Sequence, residues 1–237
     1  MISKVSSAMK LKPFAALAAV LCCILLLAGC GDSAASKGEQ ESSSNKKAVE
    51  AEVQAENTAE TVDAVDTSAM DHVRINVKDY GTITVALDKD AAPVTVENFE
   101  KLVSEGFYNG LTFHRIMDGF MIQGGDPLGN GTGGSDETIV GEFASNGHDN
   151  PISHVKGVIS MARAQNPDSA SSQFFITVAD STFLDGEYAA FGYVIEGMEV
   201  ADKIAKEAEP VDGNGTIPPE AQPVIESMEI VEQTCKR

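Results

Sequence analysis

From His72 onward the chain is cut into short apolar segments, and their two-residue period restricts the possible folds more than any other feature. Val73, Ile75 and Val77 alternate with polar residues, and Ile83, Val85 and Leu87 keep the same two-residue period. That is the pattern of strands with one buried face. Lys78-Asp79-Tyr80-Gly81 lies between the two runs, so they predict a β-hairpin. Further short strands are predicted over 111–116, 120–123, 158–162, 173–178, 190–195 and 224–231, the last with imperfect alternation. Helical spacing occurs in two places. Pro93 opens a helix with Val96, Phe99, Leu102 and Val103 on one face and Gly106 as its stop. A second helix is predicted over 198–206, with Val200, Ala201 and Ile204 inward. Many short strands, two helices and glycine-rich connections predict a mainly β domain, a closed antiparallel barrel or a sandwich. Residues 124–156 carry no regular pattern, and irregular stretches of that length in compact domains tend to be functional.

Within this framework residues 113–126 stand apart. Arg115 and Gln123 are eight residues apart, with Phe120 and Met121 between them and glycines bracketing the second half. The mixture is odd for a plain core strand and suits a short apolar pocket with two polar groups aimed into it. Taken alone, Phe120, Met121, Phe175 and Leu184 read more readily as barrel core than as a pocket, with Arg115 a surface strand arginine and Gln123 its neighbour.

Several chemistries lack their residues. Gly129-Asn-Gly131-Thr-Gly133-Gly134 satisfies the dinucleotide glycine pattern literally, but no strand precedes it and no helical pattern follows. No Gly-Lys-Ser/Thr follows either, so a phosphate-binding loop is excluded. The four histidines, His72, His114, His148 and His154, show no metal-ligand spacing, and His114 is expected to be a buried, hydrogen-bonded structural residue. No Gly-x-Ser-x-Gly elbow is present, and Ser43-x-x-Lys46 is a chance match in a polar segment. Neither a metal nor another cofactor is expected. The 237-residue chain has a formal net charge of −19. So acidic a surface repels phosphate backbones, which makes nucleic acid a poor partner.

The N-terminus differs in kind. Lys4, Lys10 and Lys12 precede an almost wholly apolar run at 14–28, too short for a membrane span of roughly 20 residues and suited to a signal-peptide core. The run ends in Leu27-Ala28-Gly29-Cys30, which resembles the lipobox of bacterial lipoproteins. The resemblance implies removal of residues 1–29, lipidation of Cys30 by acyl chains such as palmitate, and an extracytoplasmic protein anchored to the bacterial cell membrane. Cys22 and Cys23 would leave with the signal peptide, and Cys235 would remain as a tail thiol. Residues 30–70 then read as the lipidated cysteine and a flexible acidic tether, since a Ser-, Ala-, Glu- and Lys-rich segment without aromatic residues cannot offset its chain entropy. The expected organisation is completed by one domain at 71–233 and a tail at 234–237.

Motifs inside the domain resemble the cyclophilin family of peptidyl-prolyl cis–trans isomerases. They are Phe113-His114-Arg115-Ile116, then Gly119-Phe120-Met121-Ile122-Gln123-Gly124-Gly125-Asp126, then Gly131-Thr132-Gly133-Gly134. Ser160-Met161-Ala162-Arg163-Ala164, Ser172-Gln173-Phe174-Phe175-Ile176, Phe183-Leu184-Asp185-Gly186 and Phe191-Gly192 follow in order. The resemblance spans residues 72–233 and implies a closed eight-stranded antiparallel barrel capped by two α-helices. It also implies roles. Arg115 matches the catalytic arginine and Gln123 the residue that positions it. Phe120, Met121, Phe175 and Leu184 match the proline pocket. Ala162, Arg163 and Ala164 match the strand along the substrate backbone, with Gln173 a polar neighbour and Gly131 and Thr132 beside an adjoining pocket.

Three positions depart from many eukaryotic members. Phe183 replaces a tryptophan that donates a hydrogen bond to cyclosporin, so weak cyclosporin binding is expected. Tyr188 replaces a histidine at the pocket rim, and Arg163 replaces an asparagine. The loop 165–172 is also one residue longer. The expected activity is isomerisation of X–Pro bonds in unfolded or exported polypeptides by a monomer. A binding module for proline-rich segments, with incidental catalysis, is the alternative.

Overall fold

The computed structural model describes Val62 and residues 65–231. The expected signal peptide, Cys30, most of the expected tether and the expected tail lie outside the described residues. Eight strands form one sheet: β1 (Asp71–Val77), β2 (Gly81–Leu87), β3 (Phe113–Met117), β4 (Met121–Gly124), β5 (Val158–Met161), β6 (Phe174–Thr177), β7 (Ala190–Glu196) and β8 (Ile225–Val231). Every neighbouring pair is antiparallel, in the order β3-β4-β6-β5-β7-β2-β1-β8. The sheet curls into a half-barrel. Its outer strands, β3 and β8, do not pair along their lengths. They meet where Thr112 bridges Val224, Phe113 N–H donates to Pro223 O (2.9 Å) and Ile225 N–H donates to Leu111 O (2.8 Å).

Helix α1 (Pro93–Ser104) lies against β8, and α2 (Met198–Glu207) lies against β2. Val96, Phe99, Leu102 and Val103 are buried, as their spacing requires. No side chain of its own caps α1. Glu142, brought from the long irregular stretch, accepts Val94 N–H (3.0 Å), Thr95 N–H (2.8 Å) and the Thr95 hydroxyl (2.7 Å). A buried carboxylate thus satisfies amides that the helix start leaves open. Gly197 precedes α2 at φ 82°, and a Cβ there would stand 2.1 Å from Thr82 O, so the turn onto α2 requires glycine.

Alternation along the strands sorts two apolar layers. Ile116, Ile122, Ile159 and Ile176 join the main core with Phe99, Tyr108, Phe113, Phe174 and Phe191. Those aromatic rings meet at centroid distances of 5.1–6.0 Å in edge or tilted arrangements. Met121, Phe175 and Leu184 form a separate cluster, with Met117, Phe120, Ala162 and Tyr188 packed on it. Ordered packing also begins ahead of β1, since Val62, Val65 and Met70 sit against a third cluster around Ile152 and Tyr193.

The glycine-rich run 129–134 folds around an internal anion. Buried Asp126 accepts Leu128 N–H (2.8 Å), Asn130 N–H (3.0 Å) and Gly131 N–H (2.6 Å). A Cβ on Gly133 would fall 2.1 Å from its Oδ1. Burial raises the Asp126 pKa, but these backbone donors outweigh it and hold the carboxyl below its usual range.

Candidate active site

Strand register builds one row of side chains. Arg115 pairs with Gln123 across β3–β4, Gln123 with Phe175 across β4–β6, and Phe175 with Ser160 across β6–β5. Residues opposite one another in antiparallel strands share a face, so the row points away from the main core. Met117 and Met121 form the next row. A cavity of about 510 Å³ opens over these rows. Arg115, Phe120, Met121, Gln123, Ala162, Arg163, Phe175, Phe183, Leu184 and Tyr188 all line it. An adjoining cavity of about 330 Å³ shares Gln123, Ala162 and Arg163 and adds Thr132, Ala164 and Gln173. The structure therefore gathers every site residue expected in the domain along two connected pockets; Cys30 lies outside the described residues.

Arg115 is held by neutral groups. Its Nε donates to Asn214 O (2.8 Å) and its Nη1 to Gln123 Oε1 (3.0 Å). Nη1 and Nη2 also approach the sulfurs of Met121 (3.8 Å) and Met117 (3.3 Å). None of the ion pairs among the described residues involves Arg115. Burial lowers its pKa, opposed by Tyr188 and Asp212, and a guanidinium stays protonated across such a shift. The charge is therefore only partly offset within the protein.

Gln123 is fixed in turn. Its Nε2 donates to Gln173 Oε1 (2.9 Å), and Gln173 Nε2 donates to Gly133 O (2.7 Å). The relay ends on a carbonyl, which can only accept, so each amide must present its oxygen toward Arg115.

The apolar wall is well supported. Phe175 and Leu184 are buried, and Phe120 lies 5.5 Å, ring to ring, from Phe183, which is 71% exposed. Tyr188 meets Phe175 edge-on at 6.0 Å. The Arg163 guanidinium stacks on Tyr188 (4.8 Å) and Phe143 (4.9 Å), and its donors reach Glu187 O and Ala164 O. Arg163 thus clamps the 162–164 segment to the 187–188 loop.

Behind Phe175, His154 stacks on the ring at 6.1 Å, with Nδ1 2.8 Å from Asp185 Oδ1 and Nε2 3.0 Å from Ser160 Oγ. The trio has the residue types of a hydrolase triad. Ser160 is fully buried and has no path to a substrate carbonyl, so the trio supports Phe175 rather than acting as a nucleophile. Burial lowers the His154 pKa, against the pull of Asp185.

Two features escaped the sequence reading. Asn214 and Thr216 line the cavity from a loop with no periodic pattern. His114 is buried as expected, but neither ring nitrogen makes a hydrogen bond of good geometry; the Gln173 side chain acts on the ring only weakly. Its ring lies beneath the glycine loop, where Gly131 offers no side chain to meet it, and burial lowers its pKa.

Comparison with known proteins agrees with this geometry. Residues 72–230 match the model of the cyclophilin-type peptidyl-prolyl cis–trans isomerase family. Peptidyl-prolyl cis–trans isomerase A of Dickeya dadantii is 48% identical over 131 residues, covering 53% of this chain and 67% of that protein. Peptidyl-prolyl cis–trans isomerase B of Bacillus subtilis is 46% identical over 129 residues, covering 54% and 87% respectively. The crystal structure of a Cryptosporidium parvum cyclophilin-type isomerase superposes with a TM-score of 0.61 at 30% identity, covering 69% of this chain and 98% of that one. A second crystal structure of that protein, obtained in the presence of the dipeptide Ala-Pro, gives a TM-score of 0.60 at 31% identity, covering 68% and 99%. With the strand order, the connected pockets and these matches in agreement, the chain belongs to the cyclophilin-type peptidyl-prolyl cis–trans isomerases.

Proposed function

We propose that this isomerase accelerates rotation about X–Pro bonds through Arg115, with the proline ring held against Phe120, Met121, Phe175 and Leu184. The observation that carries the reading is the Arg115 guanidinium, gripped by two neutral oxygens and two sulfurs in a cavity that it shares with the apolar cluster of Phe120, Met121, Phe175 and Leu184. The uncatalysed barrier is about 20 kcal/mol because the imide nitrogen lone pair is delocalised into the carbonyl. Twisting the bond returns that lone pair to nitrogen. A fixed cationic donor gains strength as the lone pair localises, so it binds the twisted state better than either planar state. Gln123 positions the arginine, and Gln173 positions Gln123. The apolar wall excludes water and favours the less polar twisted amide. Ala162, Arg163 and Ala164 offer an edge for the substrate backbone, and the second pocket receives a residue on one side of the proline. The first test is isomerisation of a short proline peptide by the purified protein. A rate equal to the uncatalysed one would reject the assignment.

The N-terminal sequence supports a place of action. Leu27-Ala28-Gly29-Cys30, following a short apolar run, fits lipidation at Cys30 and an extracytoplasmic enzyme tethered to the cell membrane. Its substrates are then exported, incompletely folded polypeptides, and it works as a monomer. Replacing Cys30 by Ala is expected to move the protein from the membrane to the soluble fraction and abolish incorporation of a labelled fatty acid. Unchanged membrane retention and labelling would reject the anchor. Phe183 has no hydrogen-bond donor, which supports weak binding of cyclosporin.

A further inference from the structure

The loop 211–216 lies along the outer edge of β3, and Arg115 is the side chain it grips. Ile116 N–H donates to Gly215 O (2.8 Å) and Ile217 N–H donates to His114 O (3.0 Å). Between these two backbone bonds, Arg115 Nε donates to Asn214 O (2.8 Å), and Arg115 faces Thr216 as an isolated antiparallel bridge. The approach is close: Gly215 has φ 86°, and a Cβ there would lie 2.6 Å from Ile116 O. Yet residues 211–214 are solvent-exposed and belong to no regular element. What shapes the loop is Asp212. Its Oδ1 accepts Asn214 N–H (2.9 Å) and Thr216 N–H (3.0 Å), and its Oδ2 accepts the Thr216 hydroxyl (2.9 Å). Val211 N–H closes the turn on Thr216 O (2.8 Å). Asp212 forms no ion pair with Arg115; its charge reaches the guanidinium only at longer range, and its structural hold runs through the Asn214 carbonyl.

We infer that Asp212 is a positioning residue for isomerisation: its carboxylate folds the 211–216 turn so that the Asn214 carbonyl fixes Arg115 Nε and turns the Nη protons toward the substrate. The inference rests on the reading of Arg115 as the electrostatic catalyst. Asp212 itself lies outside both pocket linings.

The test measures kcat, KM, peptide affinity and thermal midpoint for the wild type, Asp212→Ala, Asp212→Asn, Arg115→Ala and the double variant Asp212→Ala/Arg115→Ala. Asp212→Ala is expected to lower kcat about tenfold, the order of loss that slight misplacement of a catalytic group produces. Peptide affinity and thermal midpoint should barely move, because the turn is exposed and the proline wall is untouched. Asp212→Asn retains Oδ1 for both backbone donors and should recover to within about threefold of wild type, since a neutral acceptor still closes the turn. In the Arg115→Ala background, Asp212→Ala should cost nothing further, because groups acting as one unit are not additive. Wild-type kcat in Asp212→Ala would overturn the inference. An Asp212→Asn variant as slow as Asp212→Ala would also overturn it, by assigning the effect to charge. So would an undiminished effect in the double variant. If Asp212→Ala does not fold, Asp212→Ser replaces it under the same expectations and the same refutations. Full activity of Arg115→Ala would overturn both this inference and the catalytic reading, whereas its loss alongside a fully active Asp212→Ala would overturn this inference alone.

Discussion

Gln123→Glu separates two ideas that most substitutions would confuse, the tightness of the arginine clamp and the availability of its charge. Gln123 Oε1 stands 3.0 Å from Arg115 Nη1. A carboxylate there strengthens the contact, since charge-assisted bonds are about twice as strong as neutral ones. It also adds a negative charge on the substrate side, taken as roughly 6 Å from the twisting imide nitrogen. Taking about half an elementary charge on that nitrogen and an effective dielectric constant of about 20, the added repulsion is about 1.4 kcal/mol, or tenfold in rate. A second cost arises at Gln173. Its Oε1 now receives Gln123 Nε2 at 2.9 Å and would face a carboxylate oxygen instead. Turning the Gln173 amide relieves that clash but breaks its 2.7 Å bond to Gly133 O. The expected outcome is a loss of kcat/KM of tenfold or somewhat more, with thermal stability close to wild type. The assay is isomerisation of a chromogenic proline tetrapeptide, with Gln123→Leu as the uncharged comparison. If Gln123→Glu matches or exceeds the wild-type rate, catalysis by an unneutralised arginine is refuted.

Three further outcomes follow from the buried histidines, two hydrogen-bonded carboxylates and the pocket rim. Burial holds His114 and His154 below the ordinary histidine value, so as pH falls the unfolded chain takes up protons first. Folding stability should be level above about pH 7 and decline below about 6.5, the unfolded value. Asp126 and Asp185 are held below the usual carboxylate range by their hydrogen-bond donors, which outweigh burial. Their contribution is present above about pH 4 and lost below it, giving a second and steeper decline. Thermal midpoints across this range check both, and a midpoint that rises between pH 7 and 5.5 would contradict the histidine part. Phe183→Trp adds an N–H donor at an exposed rim position and should tighten cyclosporin binding about tenfold or more, by the value of one well-placed hydrogen bond. Calorimetric titration of both proteins measures it, since the wild type has no tryptophan, and an unchanged Kd would remove Phe183 as a determinant of cyclosporin affinity.

The fold was legible wherever large apolar side chains recur at a strand or helix period. The β1–β2 hairpin and both helices stood out by period, and the observed helix bounds, Pro93–Ser104 and Met198–Glu207, lie close to the expected ones. Strands β4, β5 and β6 were legible only as short apolar runs. Their two faces bury different clusters, Ile122, Ile159 and Ile176 on one side and Met121 and Phe175 on the other, so alternation is lost. The imperfect pattern of β8 fits an outer strand that pairs only with β1, through a register shift at Asn76/Val77. In the site, Arg115 and Gln123 could be paired from sequence because strand register brings them opposite each other. The 211–216 loop could not be found that way. It acts on Arg115 through a backbone carbonyl, which leaves no mark in residue type, and only its Asp-Gly-Asn-Gly composition signals a turn. The capping of α1 by Glu142 was hidden for a related reason, since a cap supplied 47 residues away has no local signature.

The most direct measurement compares Arg115→Ala with wild type in two readouts on one proline peptide: the isomerisation rate by exchange NMR and the binding affinity by titration. The proposed mechanism predicts a rate lower by about a hundredfold or more, the scale of losing one preorganised electrostatic contact in the transition state. It also predicts an affinity within about threefold of wild type, because the proline wall remains and the lost interaction belongs to the twisted state. An Arg115→Ala enzyme that isomerises the peptide at close to the wild-type rate would contradict it.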